Sequence, residues 1–224
     1  MGNKKDTKWR AFIGWYKNMS KILELYKYLL DGFTDDPPKR FIDEIFKDET
    51  YKSVCPQLTI IDGGAYEGEF GFYCLPFAKV IYAFEPDPRP FKVMDETIKE
   101  FELQDVIKHS SKALAGENGK RWFHNSGYGG STLQGKDPGR GEIEVETTTL
   151  ATVIKENKIK RVDILKVDME HSEKEVLTAS DFSEVASIIK MIIGEHLEDL
   201  NSDLEKLGFT YEKSHSRNFV FRHK

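Results

Sequence analysis

Apolar positions change their rhythm along this chain. Between residues 9 and 30 they recur at helical spacing, as Phe12, Trp15, Tyr16, Met19, Ile22, Leu23, Tyr26, Leu29 and Leu30, the stripe of an amphipathic helix. Asp31-Gly32 marks its stop. Asp36-Pro37-Pro38 then opens a second, short helix over residues 40–48, with proline in its first turn. Residues 1–50 are therefore expected to be a helical extension on a main domain spanning 51–224.

From Leu58 the pattern alternates between short apolar runs and helical stripes. Strands are predicted over residues 58–62, 80–84, 106–114, 120–124, 142–148, 162–167 and 188–194. Helices are predicted over 69–77, 88–101, 150–157, 172–179 and 202–207. Gly208 caps the last helix, and residues 209–213 and 218–222 read as a closing hairpin. Runs such as Val80-Ile81-Tyr82-Ala83-Phe84 are almost wholly apolar, as strands covered on both faces should be. Strands alternating with helices argue an α/β fold: a mainly parallel sheet, helices on both faces and an antiparallel C-terminal hairpin. In such sheets ligands bind beyond the carboxyl ends of the strands.

The first strand ends in Asp62-Gly63-Gly64-Ala65-Tyr66-Glu67-Gly68. Gly63, Gly64 and Gly68 allow a sharp turn and a close backbone approach, and the next helix turns its free N–H groups towards the loop. The second strand ends in Glu85-Pro86, 23 residues after Asp62. An acid there can accept both hydroxyls of a ribose. A dinucleotide fingerprint needs a G-x-G-x-x-G pattern, and this loop has no glycine in its third place. Asp62 would also repel a pyrophosphate. Charge therefore favours S-adenosylmethionine, which carries an ammonium and a sulfonium and no phosphate, over NAD or ATP.

Composition narrows the class further. The 224 residues suit one domain with a sizeable core, at 39% hydrophobic and 32% charged. A formal charge of −5 argues against a nucleic-acid partner. Cys55 and Cys74 form neither a disulfide framework nor a zinc motif and are expected to be reduced thiols. No apolar run approaches the roughly 18 residues of a membrane span. The N-terminal residues lack a secretory core, and Asp6 stands where a myristoylation signal wants Ser or Thr. A cytoplasmic protein is expected, with a homo-oligomer left open.

Several segments together resemble the FkbM-type methyltransferases. They are Ile61-Asp62-Gly63-Gly64-Ala65-Tyr66-Glu67-Gly68, the run from Val80 through Glu85 to Pro88, Val145-Glu146-Thr147-Thr148-Thr149-Leu150, and the run from Asp163 through Asp168 to Glu173. Ile192-Ile193-Gly194-Glu195-His196 matches more weakly. The matches fall in order over residues 58–210. The resemblance implies a class I methyltransferase fold, S-adenosyl-L-methionine as cofactor, and methylation of a hydroxyl on a sugar or other small molecule. The chain departs from the family at two places: Tyr66 stands where Asn is usual, and His171 where Gly is usual.

The fourth parallel strand runs into Lys166-Val167-Asp168-Met169-Glu170-His171. Alternation along a strand would put Lys166, Asp168 and Glu170 on one side, near the cofactor methyl. Asp168 and Glu170 are candidates to orient an acceptor hydroxyl. His171 and His196 are candidates for the base that takes its proton. The cofactor candidates are Asp62, Gly63, Gly64, Ala65, Tyr66, Gly68, Glu85, Pro86 and Asp168, with Ser111 and Lys112 placed at the adenine by fold analogy. No resident metal is expected, although Asp168, Glu170, Glu195 and His196 could supply ligands for Mg²⁺ or Mn²⁺. The other readings are an N-methyltransferase, a metal-dependent O-methyltransferase, and a cofactor-binding module without catalysis. The glycine-containing loop at residues 128–132 is a candidate flap over the site.

Overall fold

The computed structural model describes residues 58–75, 77–124, 132–133, 143–195, 197–213 and 219–224. The two N-terminal helices predicted from sequence lie outside these residues, as do His196, Cys55 and residues 128–131 of the candidate flap.

The chain alternates as its pattern predicts. Strand β1 (Leu58–Gly63) leads to helix α1 (Glu69–Cys74), then β2 (Ala78–Phe84), α2 (Pro88–Glu100) and β3 (Ile107–Ser110). Short strands β4 (Ala113–Leu114), β5 (Gly119–His124), β6 (Thr132–Leu133) and β7 (Ile143–Thr148) follow. Then come α3 (Leu150–Glu156), β8 (Ile164–Val167), α4 (Glu173–Leu177), β9 (Met191–Gly194), α5 (Asn201–Lys206), β10 (Phe209–Lys213) and β11 (Phe219–His223). The main sheet has the order β10-β11-β9-β8-β1-β2-β3. The pairs among β9, β8, β1, β2 and β3 are parallel, while β11 runs antiparallel to both β9 and β10.

Alternate residues of the central strands feed opposite faces. Ile60, Ile164 and Ile193 join the core with Phe70, Phe72 and Cys74 of α1 and Met94 and Ile98 of α2. Ile61, Leu165 and Ile192 join the core with Leu150 and Val153 of α3, Val176 of α4 and Leu204 of α5. That double covering explains why these strands read as unbroken apolar runs. Cys74 is a free thiol within the first core, and burial pushes its pKa well up. It is a packing residue.

Local chemistry sets the element ends. Asp87 caps α2 by accepting the Arg89 N–H at 3.0 Å, with Pro88 in the first turn. Thr149 caps α3 by accepting the Thr152 N–H at 3.1 Å.

Two predicted strands come out differently. Residues 106–114 were expected as one strand and form two. β3 ends at Ser110, whose Oγ accepts the Lys112 N–H at 3.3 Å, and this turn carries the chain into a second sheet, of order β4-β7-β5-β6. Its polar run offers no core-facing alternation to keep the strand straight. The strand expected over 188–194 shrinks to β9. A 3₁₀ turn, Ala186–Ile188, takes its beginning, and only an isolated bridge joins Val162 to Ile189. The strand over 162–167 likewise starts late. At Asp163 a carboxylate oxygen accepts the Thr59 N–H at 2.9 Å, replacing a ladder bond.

Candidate functional site

Register aligns five strand ends into one edge. Gly63 pairs with Phe84 on one side and Val167 on the other; Phe84 pairs with Ser110, and Val167 with Gly194. The next residues along the chain are Gly64, Glu85, Ser111, Asp168 and Glu195. All five were singled out from sequence, and the parallel sheet sets them in a row where such folds bind ligands.

The glycine loop is fastened from several sides. The Gly64 and Ala65 N–H groups both donate to the Phe84 carbonyl at 3.0 Å. Gly64 has φ +72, and a Cβ there would lie 1.9 Å from the Asp168 carbonyl oxygen. At Gly68 (φ +96) a Cβ would meet the Phe72 ring at 2.7 Å. At Gly63 the crowding comes from the flexible side chains of Met169 and Leu114. Ala65 is buried, and Pro86 is half-buried beside Glu85.

Glu85 ties the second strand to this loop. Its Oε2 accepts the Tyr66 N–H and its Oε1 the Asp87 N–H, both at 2.8 Å. Burial pushes its pKa up to about 7 despite those two bonds. Glu69, opening α1, is also pushed up to about 7, first by burial and then by Glu67 and Asp62. No motif pointed to Glu69; its place in the turn after a glycine loop was the available signal.

Both groups hold a proton more tightly in the fold than a free glutamate does. Their stabilisation is complete below pH 4.5 and is lost as pH rises through about 7. In the ligand-free protein, wild type is expected to lose about 3 kcal/mol relative to Glu85→Gln between pH 4.5 and 8. Urea unfolding of both proteins across that range checks it; a difference independent of pH contradicts it.

Asp62 and Lys166 are register partners on β1 and β8. Asp62 is fully buried, and neither of its oxygens accepts a hydrogen bond from a described residue. The Lys166 ammonium lies 3.3 Å from its Oδ1. Burial pushes the Asp62 carboxyl up, and Lys166 opposes the shift. Burial also works against the Lys166 charge, but Asp62 and Asp168 outweigh it and hold the amine above its ordinary range. Lys166 interacts electrostatically with four carboxylates, those of Asp62, Glu69, Glu85 and Asp168. Among these four Asp168 alone is in the open, at 46% side-chain exposure.

Beyond Asp168 the strand reading fails. β8 stops at Val167, and Glu170 and His171 adopt φ 54 and φ 80. The alternation expected to put Glu170 beside Lys166 therefore does not extend that far. Glu173 shapes this turn, its buried carboxylate accepting the Met169 N–H at 2.6 Å. Tyr66 also has positive φ, at 51. Both departures from the family pattern thus fall on left-handed positions, where Asn or Gly is favoured over other residues. His171 is exposed. Its replacement by Gly is expected to raise stability by about 1 kcal/mol, read from the thermal midpoint. A lowered midpoint would show that the imidazole's contacts outweigh the backbone cost.

Ser111 and Lys112 are exposed beyond β3, and the Lys112 ammonium pairs with Glu146 Oε2 of β7 at 3.1 Å. Lys112 is therefore engaged with the second sheet. Among the described residues no group of three His, Cys, Asp or Glu side chains could hold a metal ion.

The profile of the methyltransferase FkbM domain matches residues 62–221. The chain belongs to the FkbM methyltransferase family. No curated protein matches its sequence. Among solved structures, the N-terminal domain of human METTL16 in complex with SAH is similar at TM-score 0.50 and 14% identity, over 83% of this chain and 68% of that one. Magnesium protoporphyrin IX methyltransferase (ChlM) from Synechocystis PCC 6803 with bound SAM gives 0.49 and 12%, over 83% and 79%. TrmK of M. capricolum with S-adenosyl-homocysteine gives 0.45 and 11%, over 79% of this chain. This chain spans 66% of the TrmK length and 64% of the METTL16 methyltransferase domain in another crystal form. The fold of this FkbM-family chain is that of the class I methyltransferases.

Proposed function

We propose that this FkbM-family chain transfers a methyl group from S-adenosylmethionine to a hydroxyl of a small molecule or sugar. The observation that carries the cofactor reading is the bond from the Tyr66 N–H to Glu85, which joins glycine loop and acid into one surface. Each Glu85 oxygen accepts one backbone N–H and keeps a lone pair for a ribose hydroxyl. Four carboxylates gathered around the Lys166 ammonium suit a cationic ligand and disfavour a phosphate. Asp62 lies buried beneath the loop with the Lys166 ammonium 3.3 Å from its Oδ1.

When bound, S-adenosylmethionine supplies an electrophilic methyl on a positively charged sulfur. Glu85 holds the nucleoside part against the backbone of the glycine loop, with Ser111 just beyond β3 beside the base. Asp168, open and next to Gly64, orients the reacting groups by charge and position. Glu170 and His171 follow it on the same loop and are the described candidates to accept the hydroxyl proton, with His196 the remaining one. The oxygen acceptor and its sugar-like class rest on family resemblance.

The test is transfer of labelled methyl from S-adenosylmethionine to a panel of sugars, phenols, amines and RNA, with and without EDTA. Labelling of a hydroxyl compound, unaffected by EDTA, is the expected result. Labelling of amines or RNA alone would overturn the acceptor reading. With a hydroxyl acceptor found, Asp168→Asn is expected to lower kcat about tenfold or more with the fold intact. Unchanged kcat would remove Asp168 from the reaction.

A further inference from the structure

The Lys166 side chain does more than balance the charge of Asp62. It leaves β8 on the face that α1 covers, and its Nζ donates to the Gly64 carbonyl at 2.6 Å, with the Gly63 carbonyl at 3.4 Å. Asp62 Oδ1 lies 3.3 Å and Asp168 Oδ2 3.9 Å from the same nitrogen. Charge balance needs the two aspartates. It does not need the carbonyl.

That carbonyl belongs to the peptide between Gly64 and Ala65, which is planar and rotates as a unit. The other side of the plane is the Ala65 N–H, held by the Phe84 carbonyl at 3.0 Å. The peptide is thus gripped at both edges, by Lys166 from β8 and by Phe84 from β2. The following N–H, from Tyr66, is the one that reaches Glu85 Oε2 at 2.8 Å. If the Gly64 carbonyl swings away, the Ala65 amide turns with it and the next peptide, which carries the Tyr66 N–H, loses its fixed anchor. A buried ammonium bonded to a carbonyl between two acids is a short, charge-assisted restraint.

We propose that Lys166 is a positioning residue: it holds the Gly64–Ala65 peptide so that the glycine loop keeps its Tyr66 N–H on Glu85 and stays locked to the strand end that carries Asp168. Lys166 acts through the loop and touches no reacting atom. What the loop receives rests on the methyltransferase reading; the grip on the peptide does not.

Removing the amine alone would strand the buried Asp62 charge and destabilise the fold. The informative comparison is therefore Asp62→Asn against Asp62→Asn/Lys166→Met. Both lack the buried carboxylate, and they differ in the bond to Gly64. Three readouts are needed: thermal midpoint, calorimetric affinity for S-adenosylhomocysteine, and amide hydrogen exchange at Gly64, Ala65 and Tyr66. The double variant is expected to bind S-adenosylhomocysteine about tenfold to a hundredfold more weakly than Asp62→Asn. Its exchange at the three loop amides is expected to be about tenfold faster or more, with β1 and β8 still protected. Equal affinity and equal loop exchange would overturn the proposal and leave Lys166 a counter-ion. Should wild type bind no S-adenosylhomocysteine, the cofactor reading falls while loop exchange still decides the role of Lys166. A measurement on wild type needs no variant to fold: the Lys166 ¹⁵Nζ resonance is expected to be protected from exchange near neutral pH. A rapidly exchanging amine would contradict the bond to Gly64.

Discussion

Gly64→Ala is expected to lower the thermal midpoint by about 10 °C and to abolish measurable cofactor binding. The backbone there has φ +72, so an alanine begins with a conformational cost of about 1–2 kcal/mol. Its Cβ would lie 1.9 Å from the Asp168 carbonyl oxygen, which is main chain and has no rotamer to change. Either the loop or the end of β8 must move, and both belong to the site. The combined cost is expected to exceed about 3 kcal/mol, in the range reserved for strained or clashing sites. At about 2–4 °C per kcal/mol for a chain of this size, that gives the stated shift. Gly71→Ala is the matched control. A Cβ at Gly71, inside α1, meets nothing closer than 3.7 Å, and alanine in a helix interior is favoured by about 0.5–1 kcal/mol. Its midpoint is expected to hold or rise. A Gly64→Ala protein within 2 °C of wild type that still bound cofactor would contradict the packing of loop on strand.

Glu85→Ala is expected to weaken S-adenosylhomocysteine binding about a hundredfold or more. Two ribose hydroxyls lose a charged acceptor, and bonds to charged groups contribute about 1.5–3 kcal/mol each. The Tyr66 and Asp87 amides lose their acceptor as well, so stability should fall by about 1–3 kcal/mol per amide left unpaired. Glu85→Gln separates the effects, since it keeps the shape without the charge. A pH signature accompanies this. The free carboxyl sits at about 7, and hydroxyl donors favour its ionised form. Below that pH binding must expel a proton, so affinity is expected to fall about tenfold per unit, with Glu69 adding to the slope. Over this interval the ligand-free protein gains stability relative to Glu85→Gln as it loses affinity. Calorimetry at pH 6, 7 and 8 reads the trend, and flat affinity would contradict it.

The sequence made the edge of the site readable because both of its markers are local. A glycine loop and an acid 23 residues on can be counted along the chain, and parallel register then brings them together. The acidic surroundings of Lys166 were only half visible. Asp62 and Asp168 stood in motifs, but the burial of Glu69 depends on how α1 packs. The split of residues 106–114 was hidden because β4 is fixed by pairing with β7, more than thirty residues later. Glu170 and His171 misled for a different reason. Period-two reasoning assumes a strand, and these residues hold left-handed dihedrals that neither side chain advertises. The left-handed dihedrals at His171 favour Gly, the residue that the resemblance leads one to expect there.

The most direct test is calorimetric titration of the wild-type chain at pH 8 with S-adenosylhomocysteine and, separately, with NADH. Saturable binding of S-adenosylhomocysteine at a single site, with none of NADH, is the expected result. Binding of NADH without S-adenosylhomocysteine would contradict the reading of the loop, of Glu85 and of the carboxylates around Lys166 as the seat of a cationic, phosphate-free cofactor.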